Sequence, residues 1–331
     1  EAEYARRRTT GEEEAGRVRP GDTVFVGGGP LLPKDYAAAL HRRAGELHGV
    51  QVLNYLPLEH IDLLTDPTCG DAFQIQSLFY NKFQQEAQRL GRCTFIPNHL
   101  RNAARDWSCA VPEYDCMVVT VSPMDKHGYF SLAGATPVEL ELLPRARRVV
   151  AEVASHAPRI FGDTALHISQ VDAVLESDRY PAAIPPAPPD EVDLRLGKVV
   201  AELVEDGATI QLGSGGTINA LAAELKSKRG LGIHTEAMSD AAMELLQCGA
   251  ADNSRKTLHR GKTVTCFTMG SHALYDFVDD NPTILHKALS YTNDLSVLAA
   301  NRGMTSINAA LQVDLTGQCA SESVGPRQIS G

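Results

Sequence analysis

Short apolar runs alternate along the chain with longer stretches in which apolar residues recur at helical spacing. The apolar runs at 23–27, 50–56, 116–121 and 149–153 predict strands, and the stretch at 35–47 predicts a helix. The runs are continuous and rich in β-branched residues, which is typical of strands buried on both faces of a parallel sheet. Strands that alternate with helices in this way predict an α/β fold.

A proline-rich segment at 181–189 interrupts this pattern, with five prolines in nine residues. Such a segment cannot form an interior helix or a central strand. We interpret it as an extended linker between an N-terminal domain at 1–185 and a C-terminal domain at 190–331. The alternative is a rigid surface loop within one domain.

The alternation of strands and helices restarts after the proline-rich segment. The two halves share this rhythm, although no residue-level repeat relates them. Helices are predicted at 191–205, 218–226, 240–247 and 272–278, and strands at 209–212, 232–235, 263–269 and 306–315.

Composition narrows the classes of function. The 331 residues include 31 Lys and Arg against 41 Asp and Glu, and the resulting net charge of −10 argues against a nucleic-acid-binding surface. No apolar run approaches the roughly twenty residues of a membrane span. The beginning of the sequence is densely charged, so no secretory signal is visible there.

Cysteine usage points to a reducing compartment. The seven cysteines include no CxxC pair, and their odd number fits the cytoplasm better than a disulfide framework. No HExxH motif or Cys/His cluster indicates a metal site, so we expect no metal.

A glycine-rich turn at 213–216 separates a predicted strand from a predicted helix. Glycine lets a backbone approach a ligand closely, and a helix N-terminus offers N–H groups to an anion or a developing oxyanion. The turn is neither a GxGxxG motif, because Ile218 occupies the third glycine position, nor a P-loop, because no Gly-Lys-Ser/Thr follows. A purely structural turn is the alternative interpretation.

Glu236 stands at the end of the predicted strand 232–235. In open α/β sheets the carboxyl ends of strands face the ligand crevice, and a carboxylate there can act as nucleophile, general base or metal ligand. The alternative is a helix-capping or solvated residue. Ser239 and Asp240 are residue types that favour the start of the next helix.

Polar residues in other loops and apolar stretches are further candidates. Asp125 and His127 could form an acid/base pair, although a loop held by local hydrogen bonds is the simpler interpretation. Gly28 follows a predicted strand and could face the same crevice. Asn293 and Asn308 lie in otherwise apolar stretches, where they either donate hydrogen bonds in a site or satisfy the backbone.

Several of these segments, taken together and in order, resemble the family I coenzyme A transferases. The resemblance is to the acetyl-CoA hydrolase/transferase branch, which contains the 4-hydroxybutyrate CoA-transferases, and it covers nearly the whole chain. The matching stretches are VTVSPMDKHGYFSL at 119–132, VEDGATIQLGSGG at 204–216, LGIHTEAMSD at 231–240 and KTLHRGKTVTCFTMGSHALYDFVDDNP at 256–282; they continue with YTND at 291–294 and the segment 307–331.

The resemblance implies two open, mostly parallel α/β domains of similar topology with the active site at their interface. It implies that Glu236 attacks an acyl-CoA and that a glutamyl-CoA thioester forms. Because this nucleophile must be ionised, we expect its pKa not to be raised far by burial. The residues matching the family's oxyanion and CoA-binding segment are Gln211, Leu212, Gly213, Ser214 and Gly215, with Asn293, Asn308 and Gly28 in supporting positions.

The implied function is transfer of CoA from a short-chain acyl-CoA to a carboxylic acid, of the 4-hydroxybutyrate/acetate type. CoA is then a substrate, and neither a permanently bound cofactor nor a metal is required. The alternatives are an acyl-CoA hydrolase that uses the same glutamate and a divergent acyl-CoA-binding subunit with little activity. The resemblance further implies a cytoplasmic homodimer or larger homo-oligomer.

The sequence departs from the family pattern in two regions. Ala237 replaces a usual methionine, and the loops at 27–33 and 74–79 differ from the family, which puts the usual short-chain substrates in doubt because these loops are expected near the acyl group. Family members also continue beyond Gly331 with a second glycine-rich CoA-binding segment. We therefore expect the domain at 190–331 to lack its C-terminal part.

Overall fold

An open parallel sheet organises the first half of the chain. The structure is a computed structural model that describes residues 1–134 and 138–330. The first-half strands are β1 (Thr23–Val26), β2 (Val50–Asn54), β3 (Phe73–Ser77), β4 (Cys93–Phe95), β5 (Cys116–Val121), β6 (Tyr129–Ser131), β7 (Val149–Ala154), β8 (Phe161–Gly162), β9 (Ala165–His167) and β10 (Ala173–Ser177). The helices are α1 (Ala2–Arg7), α2 (Gly11–Ala15), α3 (Lys34–His41), α4 (Asp62–Thr65), α5 (Lys82–Arg89), α6 (Ala103–Ala110) and α7 (Glu139–Leu142).

Seven of these strands pair in the order β10-β7-β5-β1-β2-β3-β4, and every pairing is parallel. The chain moves outward from β1 in both directions, so the strand order reverses between β1 and β5. In open α/β sheets such a reversal opens a crevice at the carboxyl ends of the strands. This edge of the sheet is therefore the expected location of a ligand site.

The sheet is buried on both faces, as the continuous apolar runs predict. Every residue of β5 and β7 is buried. Successive side chains of β1 enter different cores: Val24 and Val26 pack with Leu40, whereas Phe25 packs with Trp107 on the opposite face. The α/β class predicted from the sequence is confirmed.

The second half contains shorter parallel pairings. Its strands are β11 (Thr209–Leu212), β12 (Gly232–Ile233), β13 (Ala237–Met238), β14 (Thr263–Thr265), β15 (Phe267–Thr268), β16 (Ile284–His286), β17 (Met304–Ile307), β18 (Gln312–Val313), β19 (Cys319–Ala320), β20 (Ser323–Val324) and β21 (Arg327–Gln328). Its helices are α8 (Glu191–Glu202), α9 (Gly216–Leu225), α10 (Asp240–Gln247), α11 (His272–Val278), α12 (Leu289–Thr292) and α13 (Leu295–Ala300).

Three small parallel sheets form in this half, with the orders β12-β11-β17, β13-β15 and β14-β16-β8. Because β8 belongs to the first half, the third sheet joins the two halves directly. The predicted strand 263–269 is interrupted at Cys266, whose N–H donates to the backbone carbonyl of Glu236 at 3.0 Å. The chain around Glu236 is thereby tied to the strand region opposite it.

The proline-rich segment 181–189 forms neither helix nor strand, as predicted. Its backbone is held by both halves: the N–H of Ala182 donates to the carbonyl of Pro30, and the N–H of Ile184 donates to that of Gly270, each at 2.8 Å. The hydroxyl of Tyr275 also donates to the carbonyl of Ala182 at 2.9 Å. The division into domains at this segment stays a prediction.

Helix bounds agree with the predictions where a serine caps the helix and differ elsewhere. The helices at 240–247 and 272–278 form with the predicted bounds, and each begins at a serine that caps it, Ser239 and Ser271. The helix predicted at 35–47 ends instead at His41. Within the described residues, no helix combines the length and apolar character needed to cross a membrane.

Candidate active site

Glu236 lies between β12 and β13 and is fixed at both its backbone and its side chain. Its carbonyl oxygen accepts the N–H groups of Cys266 at 3.0 Å and Phe267 at 3.2 Å. Its carboxylate oxygen Oε2 accepts a hydrogen bond from Nδ2 of Asn293 at 2.6 Å. The structure thus brings together two residues that the sequence predicted separately.

The charge state of Glu236 reflects two opposing effects. Burial of the side chain raises its pKa, and the hydrogen bond from Asn293 opposes this shift because it stabilises the ionised form. Because the nucleophile must be ionised, the sequence analysis expects that burial does not raise the pKa of Glu236 far. The structure shows an upward shift and identifies Asn293 as the group that counteracts it.

Two cavities meet at Glu236. One is small, with a volume of about 40 Å³, and the other is an open cleft of about 680 Å³. Both are lined by Glu236 and by the side chains of Leu56, Phe79 and Phe267, which form their common boundary. A reactant bound across this boundary would have one part in the small cavity and another in the large cleft, with the carboxylate of Glu236 between them.

The small cavity is formed where the first three strands of the large sheet end. Gly29 follows β1, Tyr55 and Leu56 follow β2, and Leu78 and Phe79 follow β3. The carboxyl-end edge of the sheet is thus the wall of the cavity, as the fold class predicts. The described residues of the wall are Gly29, Tyr55, Leu56, Leu78, Phe79, Leu100, Ala103, Val138, Glu236, Phe267 and Leu289.

The large cleft is lined by the glycine-rich turn and by C-terminal residues. Four of the five turn residues predicted to bind CoA line it, from Gln211 to Ser214, together with both predicted asparagines, Asn293 and Asn308. Gln211 and Asn308 exchange side-chain hydrogen bonds at 3.1 and 2.9 Å. Their amide groups therefore brace β11 against the segment that follows β17.

The backbone N–H groups at 212–215 fall into two sets: committed donors, which already make a hydrogen bond within the protein, and uncommitted donors, which make none to a described residue. The N–H of Gly213 donates to the carbonyl of Ile307 at 2.9 Å, and that of Leu212 donates to the Thr235 hydroxyl at 3.3 Å. The N–H groups of Ser214 and Gly215 make no hydrogen bond to any described residue. They are the donors that this turn can offer to an oxyanion.

Gly215 needs to be glycine because its φ is 111° and its ψ is 178°, a backbone region that residues with a side chain rarely enter. It forms the N-cap of α9 without lining either cavity. A Cβ at Gly28 would lie 1.9 Å from the carbonyl oxygen of Tyr55, so this glycine allows a close approach of two backbone segments. Gly28 therefore supports the cavity wall through packing, and its neighbour Gly29 lines the wall.

Asp125 and His127 form a structured loop instead of an acid/base pair at the site. The carboxylate of Asp125 accepts the N–H groups of Tyr129 at 2.9 Å and His127 at 2.8 Å, and Arg159 at 2.9 Å. The N–H of Tyr129, followed by the guanidinium of Arg159, lowers the pKa of Asp125 to about 2. Neither Asp125 nor His127 lines the two cavities.

The sequence did not single out a buried pair beside the small cavity. Tyr55 donates its hydroxyl to Oε1 of Glu139, and the N–H of Val138 donates to Oε2 at 3.1 Å. Burial raises the pKa of Glu139 to about 7 and that of Tyr55 well above its usual value. The two residues lie 84 positions apart, so no local pattern could have revealed them.

Three possible metal-ligating side chains lie close together away from these cavities. The ligand atoms of His41, Asp66 and Cys69 are all within 4.8 Å of one another. His41 and Asp66 already form a pair at 2.8 Å, and Arg92 donates to the carbonyl of Asp66. The neighbouring guanidinium makes this an unfavourable place for a cation.

The chain is similar in sequence to a known protein family over both of its halves. Residues 1–186 match a family model described as the acetyl-CoA hydrolase/transferase N-terminal domain, and residues 270–331 match the corresponding C-terminal domain. The chain is 37% identical to the succinyl-CoA:cyclohexane-1-carboxylate CoA transferase of Geobacter metallireducens over 100% of this chain and 75% of that protein. It is 33% identical to the 4-hydroxybutyrate coenzyme A transferase of Clostridium kluyveri over 99% of this chain and 76% of that protein.

The fold is also similar to that of a solved structure. RipA from Yersinia pestis superposes with a TM-score of 0.91 at 32% identity, covering 97% of this chain and 77% of that one. Similarity of this extent over both halves shows that their arrangement is that of a known fold.

Proposed function

Because the chain belongs to the acetyl-CoA hydrolase/transferase family and is a CoA-transferase, we propose that Glu236 carries CoA as a covalent glutamyl-CoA thioester. The enzyme then moves CoA from a short-chain acyl-CoA to a carboxylic acid, of the 4-hydroxybutyrate/acetate type. The observation that carries this proposal is the position of Glu236 at the junction of the two cavities, with Asn293 bonded to its carboxylate.

The first half-reaction begins when a carboxylate oxygen of Glu236 attacks the thioester carbonyl of the acyl-CoA. The carbon–sulfur bond breaks, CoA leaves as its thiolate, and an acyl-glutamyl anhydride forms. The thiolate then attacks the glutamyl carbonyl of the anhydride. The anhydride carbon–oxygen bond breaks, which releases the acyl group as a carboxylate and leaves the glutamyl-CoA thioester.

The second half-reaction reverses these steps with the acceptor acid. Its carboxylate attacks the glutamyl carbonyl and expels the CoA thiolate, giving a new anhydride. The thiolate attacks the acyl carbonyl of that anhydride, and Glu236 leaves as a free carboxylate. One thioester is exchanged for another, so no net proton, metal or external energy source enters the balance.

Each attack passes through a tetrahedral oxyanion, and the uncommitted N–H groups of Ser214 and Gly215 suit its stabilisation. A single donor of this kind contributes about 3–4 kcal/mol in other acyl-transfer enzymes. We assign the large cleft to CoA, because it contains this turn, and the small cavity to the acyl group. Contacts with the distant parts of CoA can then contribute to catalysis at the thioester.

Asn293 serves the nucleophile in this proposal. Its side-chain N–H donates to the carboxylate, which favours the ionised form and opposes the effect of burial on the pKa of Glu236. The same donor fixes which oxygen is bonded and which is left to attack. We further propose that the enzyme works in the cytoplasm as a homodimer or larger assembly, which size-exclusion chromatography with light scattering will test for its assembly state.

The test is intact-mass spectrometry after incubation with short acyl-CoAs, followed by peptide mapping. Wild-type protein is expected to gain the mass of CoA on the peptide that contains Glu236. Glu236→Gln, which keeps the size of the side chain, is expected to gain none. The matched control is Glu244→Gln, an exposed glutamate on the helix after the site, which should label like wild type.

Two results would contradict the proposal. Steady release of free CoA without an acceptor acid would favour an acyl-CoA hydrolase that uses the same glutamate. Retention of acyl-CoA without any covalent adduct or turnover would instead favour an acyl-CoA-binding subunit.

A further inference from the structure

Two neighbouring strands of the second half are interrupted at the same level, and Glu236 lies in one of the breaks. Between β12 and β13 the break spans 234–236, and on the adjacent strand the break between β14 and β15 is at Cys266. His234 pairs with Val264 before the strands resume, and β13 pairs with β15 in the same register after it. Glu236 therefore stands opposite Cys266.

The hydroxyl of Thr235 replaces the backbone pairing that the first break removes. β11 pairs with β12 up to Ile210 and Ile233. Two residues further along each strand, the N–H of Leu212 donates to the Thr235 hydroxyl at 3.3 Å, and this hydroxyl donates to the carbonyl of Leu212 at 3.1 Å. Leu212 and Thr235 are each 1% exposed, so this side chain satisfies two buried backbone groups at once.

This link joins the two parts of the site that must act together. Leu212 directly precedes the glycine-rich turn, and the uncommitted N–H groups of that turn are those of Ser214 and Gly215. Thr235 directly precedes Glu236. A shift at the Thr235 hydroxyl would therefore change the distance between the oxyanion donors and the nucleophile.

Thr235 also binds the strand on its other side. Its backbone N–H donates to the carbonyl of Val264 at 2.9 Å. Thr265 repeats the side-chain arrangement on that strand, where its hydroxyl donates to the carbonyl of Glu236 at 3.0 Å. Thr265 thus supports the nucleophile, but it makes no hydrogen bond to a described residue of the glycine-rich turn. Thr235 differs from it by reaching the turn as well.

We propose that Thr235 is a positioning residue for CoA transfer, whose hydroxyl sets the spacing between the N–H groups at 214–215 and the carboxylate of Glu236. The inference rests on the proposed glutamyl-CoA chemistry. Thr235 lines neither cavity, so it acts through Leu212 and Glu236 without touching the reactant. Misplacement of reacting groups by about 1 Å costs up to about 100-fold in rate.

Thr235→Val tests the inference, because valine keeps nearly the shape of threonine and lacks the hydroxyl. The single-turnover rate of CoA adduct formation on Glu236 should fall about 10- to 100-fold, while the KM for acyl-CoA changes by less than about threefold. The acidic limb of the pH profile should stay in place, because the hydrogen bond from Asn293 to Glu236 is not removed. Thr235→Ser keeps the hydroxyl and should recover most of the rate.

Two threonines on the neighbouring strands provide matched controls. Thr209 on β11 is buried and its hydroxyl makes no hydrogen bond to a described residue, so Thr209→Val should react like wild type. Thr263 on β14 is buried and accepts a hydrogen bond from Asn253 at 3.0 Å. Thr263→Val should therefore lose stability but keep the single-turnover rate. The pair separates the loss of any buried hydroxyl from the loss of this one.

A double variant tests whether Thr235 acts through the turn. Gly215→Ala displaces the turn by itself, so adding Thr235→Val should cost less rate than it costs in the wild-type background. Thr265→Val should lose less rate than Thr235→Val, since two backbone N–H groups still donate to the carbonyl of Glu236. Its loss should multiply with that of Gly215→Ala, because Thr265 does not reach the turn.

The outcomes separate this inference from the proposed function. A wild-type rate in folded Thr235→Val, a loss that Thr235→Ser does not recover, or a loss equal to that of Thr263→Val overturns the inference while CoA transfer stands. Losses of Thr235→Val and Gly215→Ala that multiply overturn the link through the turn.

Circular dichroism establishes that each variant is folded. If Thr235→Val does not fold, Thr235→Cys replaces it, because its S–H is only a weak donor. This variant should also lose rate, and an unchanged rate overturns the inference. Absence of a CoA adduct on Glu236 in the wild-type protein overturns the proposed function and the inference with it.

Discussion

The imidazole of His234 donates a hydrogen bond from Nε2 to the backbone carbonyl of Thr292 at 2.8 Å. His234 lies two positions before Glu236, and Thr292 directly precedes Asn293, so this bond links the segments that carry both partners of the Glu236–Asn293 pair. A carbonyl only accepts, which places the proton on Nε2. Burial lowers the pKa of His234, which favours the neutral ring.

We predict that His234→Ala lowers kcat by about tenfold or more with a smaller change in KM, because misplacing a catalytic pair costs rate more than substrate affinity. His234→Gln, which can still donate to the carbonyl, should recover part of the rate. The matched control is His259→Asn, which removes the imidazole bonded to Tyr291 at 2.6 Å and tolerates the positive φ of this position. Equal losses in both variants would indicate general destabilisation instead of positioning.

Asn293→Ala should move the acidic limb of the pH profile of kcat/KM toward higher pH. Burial already raises the pKa of Glu236, and Asn293 is the group that lowers it again, so its removal lets the pKa rise further. At neutral pH the rate should fall about 10- to 100-fold, the range for a lost hydrogen bond to a charged group. A profile that keeps its acidic limb in place would show that Asn293 does not control the ionisation of Glu236.

Glu139 makes the fold less stable as pH rises. Burial raises its pKa from 4.5 to about 7, so between these values the native state holds a proton that the unfolded chain has lost. The contribution is lost progressively as pH rises through this window, by up to about 3 kcal/mol. Because Glu152 shifts in the same direction, the measurement is the difference in urea unfolding between wild type and Glu139→Gln. Glu139→Gln should become more stable relative to wild type from pH 5 to pH 8, because glutamine does not titrate. A difference that stays constant over this range would contradict the assignment.

Gly28 should tolerate no side chain. A Cβ there would lie 1.9 Å from the carbonyl oxygen of Tyr55, a backbone atom that cannot turn aside. We expect Gly28→Ala to lower the free energy of unfolding by about 3 kcal/mol or more, in the range of severe core substitutions. Gly45→Ala is the control, because nothing lies within 4 Å of a Cβ at that position. Urea unfolding of both variants decides the matter, and a small effect at Gly28 would mean that the wall can shift.

The sequence predicted the elements whose signals are local. Strands β5 and β7 appear as continuous apolar runs, and Ser239 marks a helix start that the structure reproduces. The position of Glu236 at a strand end and of Asn293 in an apolar stretch makes both residues candidates, and the resemblance implies their roles. Their contact spans 57 positions and required the fold to be seen.

What the sequence could not predict depends on contacts between distant segments. The small cavity draws its wall from the ends of three strands and from the second half of the chain, so its size is a property of packing. The state of Glu139 follows from its burial and from Tyr55, neither of which leaves a local pattern. The helix predicted to reach residue 47 ends at His41, and residues 42–46 form turns. The helical spacing of apolar residues continues through these turns, so the spacing alone does not mark the end of the helix.

The N–H groups of Ser214 and Gly215, which make no hydrogen bond to any described residue, are expected to stabilise the oxyanion. Gly215 has a φ of 111°, so Gly215→Ala should displace the turn and its two free donors. We expect the single-turnover rate of CoA adduct formation on Glu236 to fall about 10²- to 10³-fold, as on loss of an oxyanion donor. Gly249→Ala also places a side chain at a positive φ, 80°, with nothing within 4 Å of a Cβ, but outside the glycine-rich turn. It should lose stability but keep this rate, whereas equal rate losses would show that strain alone, and not the donors at 214–215, controls the reaction.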